Sequence, residues 1–366
     1  MESRAIEVSR KLALLRRFLQ QENAGAIRLR GTDWFAWATA GASNTVLLVQ
    51  ETGIAEILVN AQNAWILCDH IEAQRLVDEA LPSGFELHVS PWMEPDRRET
   101  FVREHSENRK VLSDRPADQN EAALPPTLVT ERYVLSETEQ HRFRRIGRLA
   151  AEAMGEVLQA AKPEWTEYQL AGAGAEALWQ RGLHPALTLA AGSRRLPLYR
   201  HPTPTGEKLG STAMLVFCAR GDGLIANLTR FVRFEQATAQ ENTRHQQIRD
   251  IEGAALDRCK SGIVLAEVYQ TLSSAYRAHG YPDALLQHHQ GGLAGYLARE
   301  ALLMPQSQTA LRAGMAIALN PSLPGAKIED TFILEPSGAL TNLTLDDSWP
   351  SETVRGRKRP LPMERW

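Results

Sequence analysis

A smaller α/β domain at residues 1–130, followed by a larger α+β domain at residues 131–366, is the architecture the sequence predicts. Three observations carry it. The first stretch alternates short apolar runs with helical stretches, the pattern of an α/β layer. The second reads as helix pair, strands, helix pair, strands, which suggests two similar α+β halves. Between them stands Pro125-Pro126, which cannot continue a helix and stiffens a linker.

The elements follow in order. A helix is expected near Ile6–Gln21, then strands at Ala24–Leu29, Thr45–Val49, Ile54–Val59 and Ala64–Cys68. A helical stretch at Ile71–Ala80 and a strand at Phe85–Val89 complete the first domain, which carries no glycine-rich phosphate loop. After the linker, Ser136 and Glu139 form a capping box that starts a helix, with Phe143, Ile146, Leu149 and Met154 near one face. Thr166 and Gln169 form a second box, and that helix runs to Gly182. Strands are expected at Ala186–Ala191, Ala213–Ala219 and Leu224–Phe234. Helices near Asn242–Cys259 and Ala266–His279 end at Gly262 and Gly280, and strands at Met315–Leu319 and Ile328–Leu334 finish the domain.

Composition narrows the function classes. Hydrophobic residues make up 43% and charged residues 23%, enough apolar surface for a real core and against disorder. A formal charge of −3 gives no global attraction to nucleic acid or to an anionic membrane. No stretch approaches the roughly 20 apolar residues of a membrane span, and the start MESRAIEVSRK has no apolar signal core. Cys68, Cys218 and Cys259 are too scattered for a disulfide framework or a zinc spacing, which points to a reducing, cytoplasmic setting.

Chemistry concentrates in the second domain, in SRRLPLYRHPTPTGEKL, FCARGDGLIANLTRFVRF, QHHQGGLAGYLARE and ALNPSLPGAKIEDTFIL. In this order the segments resemble the creatinase/proline-specific aminopeptidase/methionine aminopeptidase superfamily, over nearly the whole chain. The resemblance implies a pita-bread catalytic domain preceded by a creatinase-type N-terminal domain. Its metallopeptidases carry segments like GY-x-x-DxTRT, HGxGHGxGxxxHE, an EPG turn and an IED strand. Here Gly223–Phe234 reads GLIANLTRFVRF, His288–Glu300 reads HHQGGLAGYLARE, Asn320-Pro321 sits at the turn and Lys327–Thr331 reads KIEDT.

The ligand set implied by the resemblance is two aspartates, a histidine and two glutamates. On this chain those positions fall near Cys218 and on Asn227, Gly292, Asn320 and Glu329. One carboxylate cannot offset the charge of two Mn²⁺ or Co²⁺ ions, so no family-type metal and no other cofactor is expected. Creatinase departs in the same way, as a metal-free hydrolase of a C–N bond. Its Arg-Glu motif end resembles Arg299-Glu300, and its catalytic histidine matches His201. The glutamate that would hold creatine's guanidinium is replaced by Asn320, so creatine itself is not the expected substrate.

The residues agree with that chemistry. Histidine can take a proton from water and return it to a leaving nitrogen near neutral pH. His201, Glu329 and His288 are the catalytic candidates, with Glu329 orienting His201 or the water. Asn227, Asn320, Arg299, Arg220 and Glu300 are candidates to shape the substrate site, and two converging arginines would clamp a carboxylate. Plainer readings stand beside these: a loop histidine, glycines that only permit close strands, Cys218 as a small buried hydrophobe, VRGRKRPLPMERW as a solvated or docking tail. The expectation is a metal-independent hydrolase of a small amide or amidine, in a homodimer. The alternatives are a catalytically silent binding protein and an Xaa-Pro-type metallopeptidase.

Overall fold

The computed structural model describes residues 3–366. The chain divides into two compact units, Met1–Arg132 with Asp222–Leu224, and Tyr133–Gly221 with Ile225–Trp366.

The first unit opens with the helix Arg4–Gln21, capped by Ser3, whose buried face carries Val8, Leu12, Leu15 and Leu19. Its strands are β1 (Ala26–Gly31), β2 (Thr52–Val59), β3 (Ala64–Asp69), β4 (Glu86–Ser90), β5 (Val111–Ser113) and β6 (Glu121–Ala123). They form one sheet in the order β4-β3-β2-β1-β5-β6. β1, β2 and β3 pair antiparallel, while β4, β5 and β6 join in parallel. Arg28 on β1 is fully buried and offset by Glu56 and Glu99, each at 2.6 Å.

One expected strand is absent. Thr45–Val49 is loop, and Val49 is 92% exposed. Its β-branched residues suit a strand, but β2 already occupies the place beside β1, with Thr52 opposite Gly31. The helices that went unread include Thr32–Ala38, which buries Trp34 and Trp37, and Pro95–His105. The proline pair does not merely stiffen a linker, because Pro126 begins the helix Pro126–Arg132, where its missing N–H costs nothing.

In the second unit both capping boxes form, opening the helices Glu137–Ala160 and Glu167–Trp179. Glu139 serves twice, since its Oε1 also accepts a 2.6 Å hydrogen bond from the buried Tyr296 hydroxyl. These helices are followed by β7 (His184–Gly192), β8 (Thr212–Gly221) and β9 (Leu224–Arg233). A second helix pair, Ala239–Arg258 and Leu265–Ala278, precedes β10 (Gly291–Ala294), β11 (Ala301–Leu302), β12 (Ala316–Leu319), β13 (Ser322–Leu323), β14 (Ala326–Lys327), β15 (Asp330–Leu334) and β16 (Leu340–Asn342). The chain ends in β17 (Ser351–Val354), β18 (Arg357–Pro360) and β19 (Met363–Glu364), which gives sheets ordered β19-β9-β8-β7 and β11-β10-β12-β15-β16. Ile248, Ile251, Leu272, Ile317 and Phe332 are part of the core between the second helix pair and the second sheet.

The basic tail is structure, not a solvated arm. β17 and β18 form a hairpin that buries Arg359 completely, with Glu252 at 2.6 Å and Asp330 at 2.8 Å. Arg230 meets the same Asp330 at 2.7 Å. Among the described residues no helix is long and apolar enough to cross a membrane.

Candidate functional site

The site lies where β9 meets Glu329 and the start of β15. Thr229 N donates to Glu329 O at 3.1 Å, and Asn227 N donates to Thr331 Oγ1 at 2.9 Å. These bonds bring Asn227, Thr229 and Glu329 together below the surface, all buried. β10 enters the same region behind His288 and His289. Gln290 anchors that turn, accepting from Tyr276 Oη at 2.8 Å and donating to His288 O at 2.6 Å.

His201 arrives on the loop between β7 and β8, and Glu167 fixes that loop. The buried Glu167 carboxylate accepts from Gly192 N at 3.0 Å, Thr205 N at 3.0 Å and Thr205 Oγ1 at 2.7 Å, and it pairs with Arg195. Arg200 Nη2 donates to Gln287 Oε1 at 2.7 Å, which ties the His201 side of the loop to the segment before His288.

Three imidazoles converge there. His201 Nε2 lies 2.9 Å from His288 Nε2, so one ring donates to the other. His289 stacks on His288 with ring centroids 4.8 Å apart. His288 is buried and its Nδ1 has no partner, whereas His201 and His289 are open to solvent. Burial, then Lys327, depresses His201 below the ordinary histidine value. The same two causes push His288 down to about 2, and burial with Arg299 pushes His289 to about 4. All three rings are neutral at pH 7.

Next to them sits a buried ion cluster. Glu329 Oε1 accepts from Arg299 Nη2 at 2.6 Å, while Oε2 meets Lys327 Nζ at 3.1 Å and Thr229 Oγ1 at 2.9 Å. Burial alone would raise Glu329, but Lys327 and Arg299 outweigh it and hold the carboxylate at about 2. Glu329 is therefore a fixed charge at neutral pH. Asn227 Oδ1, Asn320 Oδ1 and Arg299 Nε are buried without a hydrogen-bond partner. Buried polar atoms are normally paired, so these three are positions at which a polar molecule would find a partner.

The dinuclear centre implied by the sequence resemblance does not fit these residues. Gly292 stands at its histidine position, and a Cβ there would lie 1.9 Å from Ala301 O. Asn227 and Asn320 offer neutral oxygens, and Glu329 is already claimed by two cations. Burial keeps Cys218 a thiol, raised to about 12.

Of the eight residues singled out in the sequence, His201 and His288 touch, and Glu329 and Arg299 touch. Asn227 and Asn320 supply unpaired oxygens. Glu329 makes no hydrogen bond to His201, whose partner is His288. Glu300 builds a turn by accepting from Tyr296 N at 2.8 Å, and Arg220 sits opposite His184 across β7–β8. Lys327 and Glu167 went unread, and His289 was passed over in favour of its neighbour His288. Lys327 opens the KIEDT segment and His289 adjoins His288, so the motif held both, but Glu167 gave no local sign beyond its place in a capping box. A cavity of about 740 Å³ lined by Arg233, His245, Arg249 and Leu361 contains none of the candidates.

Solved structures share this fold. An Xaa-Pro dipeptidase from Bacillus anthracis is 17% identical with a TM-score of 0.78, covering 95% of this chain and 99% of its own. The prolidase from Pyrococcus horikoshii OT3 is 16% identical with a TM-score of 0.77, covering 92% and 99%. The N-terminal domain of FACT complex subunit SPT16 from Cicer arietinum (chickpea) is 12% identical with a TM-score of 0.72, covering 93% and 96%. Among curated protein sequences there is no significant match. The N-terminal domain followed by a pita-bread domain, expected from the motifs, is thus the fold of the chain. Residues 141–336, more than half of the sequence, match the pattern of metallopeptidase family M24, and the chain belongs to that family.

Proposed function

We propose that this M24-family protein hydrolyses a C–N bond in a small amide or peptide-like substrate, using His201 as general acid and base and no dinuclear metal centre. The observation that supports it is the His201–His288 contact at 2.9 Å beside buried, unpaired polar atoms. His201 is exposed, so substrate and water can reach it. Its depressed pKa keeps the ring neutral and able to accept a proton at neutral pH.

In this reading His201 takes a proton from water as the oxygen bonds to the substrate carbonyl carbon. The C–N bond then breaks, and the nitrogen leaves with the proton from His201. His288 holds the His201 ring and fixes which nitrogen carries hydrogen. Lys327 and Arg299, neutralised only in part by Glu329, place net positive charge beside the reaction. That field favours a developing oxyanion and a substrate carboxylate. Asn227 and Asn320 offer oxygens to substrate N–H groups.

N-acyl amino acids are the first substrates to test, followed by Xaa-Pro dipeptides because two structural neighbours bear dipeptidase and prolidase names. Turnover of any such amide in a chelator, lost in His201→Ala, supports the reading. A silent ligand-binding role takes its place if no amide is turned over while a carboxylate-bearing amide still binds. We further propose a cytoplasmic homodimer. The exposed apolar run Val46–Val49, with Trp92 and Met93 also exposed, gives the first unit surface to bury against a second copy.

A further inference from the structure

We propose that His201, His288 and His289 form a binding site for one late first-row divalent cation of the Co²⁺–Zn²⁺ group. The site shares no residue with the donor set implied by the family resemblance. Each ring offers one nitrogen, and the three nitrogens lie within 4.8 Å of one another. Two Zn–N bonds of about 2.0–2.1 Å at a tetrahedral angle set their nitrogens roughly 3.3 Å apart. The 2.9 Å between His201 Nε2 and His288 Nε2 reaches that with a shift of a few tenths of an ångström.

The remaining features follow from ligand chemistry. Imidazole binds a metal through a ring-nitrogen lone pair, and each of the three rings offers one such nitrogen to a common point. Both Nε2 atoms can face the ion only when the hydrogen between them moves to Nδ1 of the donating ring, and His288 Nδ1, which makes no hydrogen bond, can carry it. His201 and His289 face solvent, which gives an ion a way in and leaves the remaining coordination position to water.

Lys327 and Arg299 oppose any cation, yet each is bonded to Glu329. Their residual charge acts most strongly against hard ions such as Mg²⁺ or Ca²⁺, which depend on anionic oxygens. Ions with real affinity for neutral nitrogen are penalised less in proportion. An ion on His201 occupies the lone pair that a general base needs, so occupancy and His201-dependent hydrolysis exclude one another.

The test is calorimetric titration of chelator-treated, full-length protein with Zn²⁺, with Co²⁺ as a visible spectroscopic probe. The expected result is one ion per chain, Co²⁺ bands of nitrogen coordination, and no binding of Mg²⁺. His289→Ala and His201→Ala, both at exposed positions, should melt like wild type and bind Zn²⁺ about 100-fold more weakly, at the upper end of what losing even a supporting group costs. Two ions per chain would overturn the proposal, as would Zn²⁺ affinity unchanged in both variants. Activity is a separate readout. Zn²⁺ inhibition reversed by chelator agrees with both the site and the acid–base role of His201, whereas Zn²⁺ activation keeps the metal site and removes that role.

Discussion

Glu329 is a buried carboxylate kept ionised by Lys327 and Arg299. Its folded-state value lies below the ordinary one, so its stabilisation is present above about pH 4.5 and is lost as pH falls toward 2. Glu329→Gln leaves the buried Lys327 and the half-buried Arg299 without their counter-charge and should cost about 3–5 kcal/mol in chemical denaturation. The histidines work in the same direction through another route. His289 is neutral in the fold and titrates at about 4 there, against 6.5 in the unfolded chain. Stability linked to it is therefore complete above pH 6.5 and declines as pH drops toward 4. His289→Asn should show a shallower decline across that window. In the sequence, His201, His288 and Glu329 could be singled out because each sits in a recognisable segment. That His288, and not Glu329, is the direct partner of His201 could not be read there, because a contact across 87 residues depends on how two loops fold back.

The loop that carries His201 owes its shape to Glu167 in the first turn of the helix Glu167–Trp179. Glu167→Gln weakens the hold on Gly192, Thr205 and Arg195 together. Limited proteolysis of that variant should cut within residues 193–210 well before global unfolding, while wild type resists. The capping box Thr166/Gln169 was legible because its partners are three residues apart. The Glu167 contacts span 25 and 38 residues, and no local pattern encodes them. Thr45–Val49 errs in the opposite sense: its residues favour a strand, but a strand also needs an unpaired neighbour, and β2 had taken the place beside β1.

Over the whole molecule, part of the charge is placed inside the fold rather than on its surface. Five Lys/Arg in the last thirteen residues read as a basic tail in the sequence, yet Arg359 is a buried partner of Glu252 and Asp330. Arg359→Ala leaves the buried Glu252 without its counter-charge and Asp330 with Arg230 alone, and should lower stability by about 3–5 kcal/mol. Sedimentation at micromolar concentration should give twice the chain mass, and Val49→Asp with Trp92→Ser should shift it toward the monomer. The central claim, that His201 performs amide hydrolysis without the dinuclear centre its family name implies, is tested most directly by one measurement. Turnover of the best N-acyl amino acid or dipeptide is compared in chelator-treated wild type and His201→Ala, alongside their melting curves. The account predicts undiminished wild-type turnover after chelation and a loss of about 10²–10⁴-fold in a folded His201→Ala protein. Turnover that vanishes with chelator, returns with Mn²⁺ or Co²⁺ and survives His201→Ala would contradict it.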